Sequence, residues 1–131
     1  MIKVIVHGAG GRMGKELLRL IAESEGFTTV AAVDGFGGEG VTHKNLSDFN
    51  DDADIIIDFS NHVLTSALCD YAMARKLPVV IATTGHDAAE KAKMDETAKV
   101  VPVFHSANMS LGIAVLANLA RKAAEMFPMR I

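Results

Sequence analysis

The glycine-rich stretch at residues 7–14 has the residue types and spacing of a phosphate-binding turn. It directly follows the apolar run at residues 2–6 and precedes an amphipathic segment that begins at Lys15. Glycines lack a Cβ, so the backbone can turn tightly and approach a ligand, and the N–H groups at the start of a following helix attract a phosphate. The stretch therefore predicts a nucleotide pyrophosphate site, although a glycine turn can also simply connect a strand to a helix.

The glycine spacing matches a variant of the dinucleotide fingerprint. Met13 occupies the third glycine position of GxGxxG, whereas GxxGxxG fits through Gly8, Gly11 and Gly14. Asp34 ends the next apolar segment, about 20 residues beyond Gly14, where the fingerprint places an acid. A carboxylate there can accept hydrogen bonds from both hydroxyls of an adenosine ribose, and it would repel a 2′-phosphate.

Short apolar runs alternate with longer amphipathic segments, which is typical of repeated βαβ units. Strands are predicted at residues 2–6, 28–33, 54–59, 79–82 and 101–104, and helices at about 12–24, 61–76, 87–99 and after 110. The expected fold is a Rossmann-type, doubly wound parallel sheet of the α/β class, with residues 1–131 as a single dinucleotide-binding domain. Since ligands bind at the carboxyl ends of such strands, residues 8–14, 34, 82–85 and 106–109 should line one cleft.

Two helices carry more detailed signals. Asp87 and Glu90 have the spacing of a capping box at the start of the third helix. The helix before it, which Ser60 or Asn61 can cap, has an expected inward stripe of Leu64, Ala67, Leu68 and Tyr71.

Composition limits the possible partners. The 131 residues are 50% hydrophobic with a net charge of −3, and no linker or repeat divides them, so one domain with a substantial core is expected. No basic run suits nucleic acid, and the N-terminal apolar run ends at Gly8, too soon for a signal peptide or a membrane span. We expect a cytoplasmic protein with neither a nucleic-acid nor a membrane partner.

No metal site is predicted, because the five histidines show no HxxxH or Cys/His spacing: His7, His43, His62, His86 and His105. Packing is the simpler role for His7 and His105, and solvent exposure is the simpler expectation for His86, although all three can approach a cofactor. Cys69 is expected to behave as a small hydrophobic residue.

Four motifs follow one another along the chain: GAGGRMG at residues 8–14, IDFS at 57–60, ATTG at 82–85 and SANMSLG at 106–112. Together they resemble the amino-terminal domain of the 4-hydroxy-tetrahydrodipicolinate reductases, also called dihydrodipicolinate reductases. The resemblance covers essentially the whole chain and implies an NAD(P)H-dependent reduction in diaminopimelate and lysine biosynthesis. It implies a pyrophosphate, ribose and nicotinamide site formed by Gly8, Ala9, Gly10, Gly11, Arg12, Met13, Gly14, Asp34, Ala82, Thr83, Thr84, Ser106, Ala107, Asn108 and Met109.

The chain also departs from the family pattern. Members that bind NADPH well have a basic residue directly after the acid, where this chain has Gly35. NADH is therefore the expected cofactor, with NADPH also possible because Lys44 or Arg12 can reach a 2′-phosphate. The family's substrate domain, with paired histidines, a lysine and a DAPSGT-like stretch, has no counterpart in residues 1–131. We therefore expect no catalytic residue here, cofactor binding without turnover, no dicarboxylate substrate binding without that domain, and a monomer instead of the family's homotetramer.

Other functions remain open from the residues alone. The chain can be the nucleotide domain of another NAD-dependent amino-acid dehydrogenase, or a non-catalytic NAD-responsive module. A methyltransferase also combines a glycine loop with an acid after the second strand, and would bind S-adenosylmethionine. That last interpretation leaves the motifs at residues 82–85 and 106–112 unexplained.

Overall fold

A parallel β-sheet organises the part of the chain that the computed structural model describes, residues 1–105. Its five strands lie side by side in the order β2-β1-β3-β4-β5, and every neighbouring pair is parallel. The strands are β1 (Ile2–His7), β2 (Phe27–Val33), β3 (Ile55–Asp58), β4 (Val79–Ile81) and β5 (Val103–His105). The predicted helix after residue 110 and the predicted site residues Ser106, Ala107, Asn108 and Met109 lie outside the described residues.

Helices cover both faces of this sheet. They are α1 (Arg12–Glu23), α2 (Thr65–Arg75) and α3 (Ala88–Ala98). Successive residues of a strand point to opposite faces, so Val4 and Val6 pack with Leu17 of α1 on one side. Ile5 packs with Leu68 of α2 and other buried residues on the opposite side. The predicted α/β, doubly wound parallel sheet is confirmed.

The chain changes its direction of winding between β1 and β3. After β1 it moves to one edge of the sheet to form β2, and it then crosses back over β1 to form β3. Loops leaving neighbouring strands at such a point diverge and open a crevice at the carboxyl edge. This is where an α/β sheet of this kind binds its ligand.

The connection from β2 to β3, residues 34–54, contains no α-helix in the structure. It holds one 3₁₀ turn (Leu46–Asp48) and a bridge between Val33 and His43. Phe49, which is 3% exposed, anchors the segment to the core. The glycine-rich part of this connection adopts left-handed backbone conformations, with φ of +71° at Gly37 and +127° at Gly38.

The expected inward stripe of α2 is partly wrong. Leu68 is buried, but Leu64 is 43% exposed and Ala67 is exposed as well. Residues 62–64 form a 3₁₀ turn and α2 begins only at Thr65, so Leu64 lies before the helix and is not part of its stripe. The buried stripe consists of Thr65, Leu68, Cys69 and Ala72.

The capping box at the start of α3 is confirmed. The Asp87 carboxylate accepts a hydrogen bond from the N–H of Glu90 at 2.8 Å, and the Glu90 carboxylate accepts one from the N–H of Asp87 at 2.8 Å. Two N–H donors that the helix itself leaves without a partner are thereby satisfied.

Candidate functional site

The turn between β1 and α1 requires glycine at two positions. Gly8 has a φ of +83°, and a Cβ there would lie 2.6 Å from the carbonyl of Phe59 and from the backbone nitrogen of Ser60. A Cβ on Gly14 would lie 2.1 Å from the carbonyl oxygen of Gly8. Only glycine allows the turn to pass this close to the end of β3 and allows α1 to begin directly against the turn.

The N–H groups of the turn divide into two sets. Those of Gly8 and Ala9 donate to the Val33 carbonyl at 2.8 and 3.1 Å, and the N–H of Gly11 donates to the Gly8 carbonyl at 3.2 Å. The N–H groups of Arg12 and Met13 come next, in the first turn of α1, where a helix offers no carbonyl partner of its own. The glycines therefore shape the turn, while the donors available to a ligand come from the helix start.

The helix start is also electrostatically suited to an anion. Gly11, the N-terminal cap, has no side chain with which to cover the helix end, and no acidic residue lies in the first turn. Arg12 is exposed at the same place. The positive end of the helix dipole and the guanidinium thus act together.

Asp34 lies beside this turn at the end of β2. One carboxylate oxygen accepts a hydrogen bond from the N–H of Gly10 at 2.9 Å, and the other accepts one from the N–H of Phe36 at 2.9 Å. A carboxylate has about four lone-pair sites in total, so each oxygen retains one for a further donor. The side chain is fixed at the turn and can still accept two hydroxyl groups.

A buried hydrogen bond between two side chains joins β1 to β3 next to the turn. Nδ1 of His7 lies 3.0 Å from a carboxylate oxygen of Asp58, and both residues are buried. The same oxygen accepts hydrogen bonds from the N–H and the hydroxyl of Ser60. His7 is buried, as its expected packing role requires, and it also makes a specific hydrogen bond to Asp58, a residue that the sequence alone did not single out.

The cleft itself has a volume of about 520 Å³ and opens between the start of α1 and the carboxyl ends of β3 and β4. It brings together residues from three of the four sequence motifs. Its lining consists of Arg12, Met13, Phe59, Ser60, Asn61, His62, Ala82, Thr83 and Thr84. Among the predicted residues, Ala9 is fully buried, so its side chain belongs to the core.

Behind the wall formed by Thr83 lies His86, whose expected solvent exposure is wrong. The residue is 9% exposed, and its Nε2 lies 3.0 Å from the hydroxyl of Thr83 and 3.0 Å from that of Thr65. Its ring also packs edge-on against His105, with ring centres 4.9 Å apart. Burial lowers the pKa of His86, and a neighbouring charge on His105 would lower it further.

His62 stands at the rim of the cleft and is held by Glu90. Nδ1 of His62 lies 2.9 Å from a Glu90 carboxylate oxygen. The pKa of Glu90 is lowered, first by the hydrogen bond from the N–H of Asp87 and then by His62, against the opposing effect of burial. The capping box of α3 is thus connected to the cleft.

Neither a metal-binding cluster nor a membrane-spanning helix is found in residues 1–105. No group of three or more His, Cys, Asp or Glu side chains in this range is arranged to hold a metal ion. In the same range, no helix has the length and apolar character needed to cross a membrane.

The fold places the chain among the Rossmann-type α/β domains, whose cleft lies at the carboxyl edge of the sheet. Solved structures with this fold include an oxidoreductase from Agrobacterium radiobacter in complex with NAD⁺, L-tartaric acid and magnesium, with a TM-score of 0.68 and 16% identity over 88% of this chain and 38% of that one. Another is myo-inositol 2-dehydrogenase from Lactobacillus plantarum, with a TM-score of 0.64 and 19% identity over 97% of this chain and 42% of that one.

Sequence comparison identifies the family. The profile described as "Dihydrodipicolinate reductase, N-terminus" matches residues 2–109, and the chain belongs to this family. Relatives named 4-hydroxy-tetrahydrodipicolinate reductase include those of Caldanaerobacter subterraneus subsp. tengcongensis, 43% identical over 96% of this chain, and Clostridium novyi, 38% identical over 96%. The chain spans about half the length of these curated relatives, 51% in both cases. The resemblance read from the four motifs is confirmed.

Proposed function

We propose that this chain is the nucleotide-binding half of a 4-hydroxy-tetrahydrodipicolinate reductase and that it binds NAD(P)H at the carboxyl edge of its sheet. One observation carries the proposal. The glycine turn and the start of α1 open into the same cleft as Thr84, with the carboxylate of Asp34 fixed beside the turn. This arrangement fits the phosphate, ribose and nicotinamide parts of one extended ligand.

The pyrophosphate would lie at the start of α1. The N–H groups of Arg12 and Met13 point out of the first helical turn, and the Arg12 guanidinium supplies a full positive charge beside them. Gly8, Gly10, Gly11 and Gly14 allow the backbone to come close, and Ala9 helps to fix the turn by donating its N–H to the Val33 carbonyl. Water is displaced from an anion-binding position that already has its donors in place.

The adenosine ribose would bind to Asp34. Its two oxygens each retain an acceptor site, which suits the paired 2′ and 3′ hydroxyls of NADH. A 2′-phosphate would meet the negative charge of the carboxylate, and Gly35 offers no side chain to compensate for it. NADH is therefore the proposed preferred cofactor, while Arg12 or Lys44 keeps NADPH use possible.

The nicotinamide would lie against the loop after β4. Ala82, Thr83 and Thr84 line that end of the cleft, and Thr84 is exposed. Through the family resemblance, Ser106, Ala107, Asn108 and Met109 are part of the same proposal. The reduced nicotinamide supplies a hydride when it is bound, and the residues of this chain hold and orient the ring that carries it.

The relatives' names support a proposal for the reaction of the whole protein. We propose reduction of 4-hydroxy-tetrahydrodipicolinate to tetrahydrodipicolinate, in the cytoplasm, within diaminopimelate and lysine biosynthesis. The groups that bind the dicarboxylate substrate and build the homotetramer are assigned to the part of the relatives that this chain does not span. By itself the chain should be a monomer that binds cofactor with little or no turnover.

A pair of arginine variants on one helix tests the proposal. Arg12→Ala should weaken NADH binding roughly tenfold, because it removes a charged hydrogen-bond donor from the pyrophosphate. Arg19→Ala is the matched control, since Arg19 is also exposed on α1 but pairs with Glu16 and Glu23. The chain has no tryptophan, so NADH fluorescence reports binding directly. Equal NADH affinities for the two variants would contradict the proposed site.

A further inference from the structure

A single ring nitrogen connects the cleft wall to a helix behind it. Nε2 of His86 lies 3.0 Å from the hydroxyl of Thr83, which lines the cleft, and 3.0 Å from the hydroxyl of Thr65, the first residue of α2. Thr65 is completely buried. Any movement of His86 therefore changes the support on which the loop after β4 rests.

The loop is also held on its other side. Nε2 of His105 lies 3.3 Å from the carbonyl oxygen of Thr83, so both the side chain and the backbone of Thr83 are bound to histidines. Gly85 has a φ of +83°, and the space where a Cβ would stand is 3.5 Å from the His62 ring. The loop is fixed at Thr83, which leaves the exposed Thr84 as the residue presented to a ligand.

The surroundings of His86 disfavour a positive charge. Within residues 1–105, the titratable groups that act on it are His62 at the cleft rim, His105 on β5, Glu90 on α3 and Asp58 on β3. Burial lowers the pKa of His86 most, and charges on His105 and His62 lower it further. Glu90 and Asp58 act in the opposite direction without reversing the shift.

We propose that His86 is a positioning residue for the nicotinamide end of the cofactor, and that it holds the Thr83–Thr84 turn in place only while its ring is neutral. This inference rests on the proposed function of the cleft. When His86 takes up a proton, the charged ring is better solvated outside its buried position, and the turn loses its connection to α2. Binding of the nicotinamide then weakens in acid, whereas binding of the adenosine diphosphate part does not.

Two ligands separate these parts of the site. NAD⁺ and ADP-ribose share the adenosine, the pyrophosphate and the second ribose, but ADP-ribose lacks the nicotinamide. Calorimetric titrations of both into the chain, at about pH 8 and in steps below the ordinary histidine pKa of 6.5 while the chain stays folded, should show NAD⁺ binding that weakens progressively as the pH falls, by at most tenfold per pH unit for one proton. ADP-ribose affinity should stay constant.

Variants identify His86 as the responsible group. His86→Gln places an uncharged amide near the position of Nε2, so it should keep NAD⁺ affinity at pH 8 within about twofold and lose the acid-induced weakening. Thr65→Val removes one partner of the ring and should weaken NAD⁺ binding roughly threefold at pH 8. Thr97→Val is its matched control, because Thr97 is equally buried and its hydroxyl interacts with the Lys93 carbonyl and the Cys69 thiol, away from His86.

The outcomes distinguish failure of the role proposed for His86 from failure of the cofactor site itself. If NAD⁺ and ADP-ribose weaken equally in acid, or if His86→Gln retains the weakening, the positioning role is refuted while the cofactor site stands. The role is also refuted if Thr65→Val and Thr97→Val have the same NAD⁺ affinity. If neither ligand binds the folded chain at pH 8, the proposed function fails, and this inference fails with it.

Discussion

Replacing Gly14 by alanine should push α1 away from the glycine turn. The new Cβ would lie 2.1 Å from the Gly8 carbonyl oxygen and 2.8 Å from the Cα of Ala9. Both are backbone atoms, which no change of rotamer can move aside. Restoring an ordinary contact distance requires the helix to withdraw by roughly 1 Å.

The withdrawal has an energetic cost that can be estimated. Leu17 and Ile21 pack α1 against the sheet, and overpacking at such a contact costs about 1–3 kcal/mol. Because the contacted atoms are backbone, the upper part of this range applies, about 2–3 kcal/mol. Alanine in place of a helical glycine returns about 1 kcal/mol, so the net loss is about 1–2 kcal/mol. The midpoint of thermal unfolding should fall by roughly 4–10 °C, and NADH affinity should fall roughly tenfold as the helix start retreats from the phosphate.

Circular dichroism melting and calorimetric titration with NADH measure the two effects. Gly35→Ala is the matched control, because the nearest heavy atom to its Cβ would be 4.0 Å away and its backbone is not left-handed. This control should melt within about 1 °C of the unchanged chain. If Gly14→Ala has the melting temperature and NADH affinity of Gly35→Ala, the close contact between helix and turn is refuted.

Three further changes test other parts of the structure. Gly35→Arg adds a cation beside Asp34 and should raise NADPH affinity relative to NADH roughly tenfold in parallel titrations; an unchanged ratio would contradict the ribose assignment. Cys69 is fully buried and burial raises the pKa of its thiol, so a thiol reagent should label it only as the chain unfolds, and rapid labelling in native buffer would contradict its burial. The pKa of Glu90 in the fold lies below its ordinary value of 4.5, so its contribution to stability is complete above that pH and is lost as the pH falls through the folded value. Glu90→Gln should therefore lose less stability than the unchanged chain between about pH 7 and pH 3.5 in urea titrations, and an equal loss would refute the role of the carboxylate.

Patterns that depend on neighbouring residues predicted much of the fold. The alternation of apolar runs and amphipathic segments was enough for the parallel sheet, and the spacing of Asp87 and Glu90 was enough for a capping box. The glycine spacing located the turn after β1 because a left-handed φ at Gly8 and the close packing of Gly14 admit almost no other residue. Each of these features depends on residues that are close together in the chain, so it can be recognised from a short stretch of sequence.

Contacts between distant residues could not be predicted in this way. His7 and Asp58 are 51 residues apart in the chain, and they meet only because β1 and β3 are neighbours in the sheet. His86 was expected in solvent as a histidine of a loop. Its partner Thr65 is 21 positions away in the chain, and nothing in the sequence shows that this polar residue faces inward. The Thr65 hydroxyl has a buried partner in His86, so a threonine can begin the buried stripe of α2. A search for apolar residues at helical spacing does not find such a position.

The sequence also does not show which N–H groups of the turn bond inside the protein and which are left for a ligand. The motif treats residues 8–14 as one phosphate-binding unit, but the N–H groups of Gly8, Ala9 and Gly11 are used inside the protein, and that of Gly10 binds Asp34. Only the three-dimensional arrangement shows that Arg12 and Met13 carry the donors left for a ligand.

The most direct test of the central claim is a parallel calorimetric titration of the chain with NADH, NADPH and S-adenosylmethionine. We predict that NADH binds most tightly and that S-adenosylmethionine does not bind. Asp34→Ala should reduce NADH affinity roughly tenfold and should reduce the ratio of NADH affinity to NADPH affinity. Asp95→Ala is the control, because it removes an exposed carboxylate of α3 outside the cleft. It should change neither the NADH affinity nor the ratio of NADH affinity to NADPH affinity. A folded chain that binds no nicotinamide dinucleotide, or that prefers S-adenosylmethionine, would contradict the account.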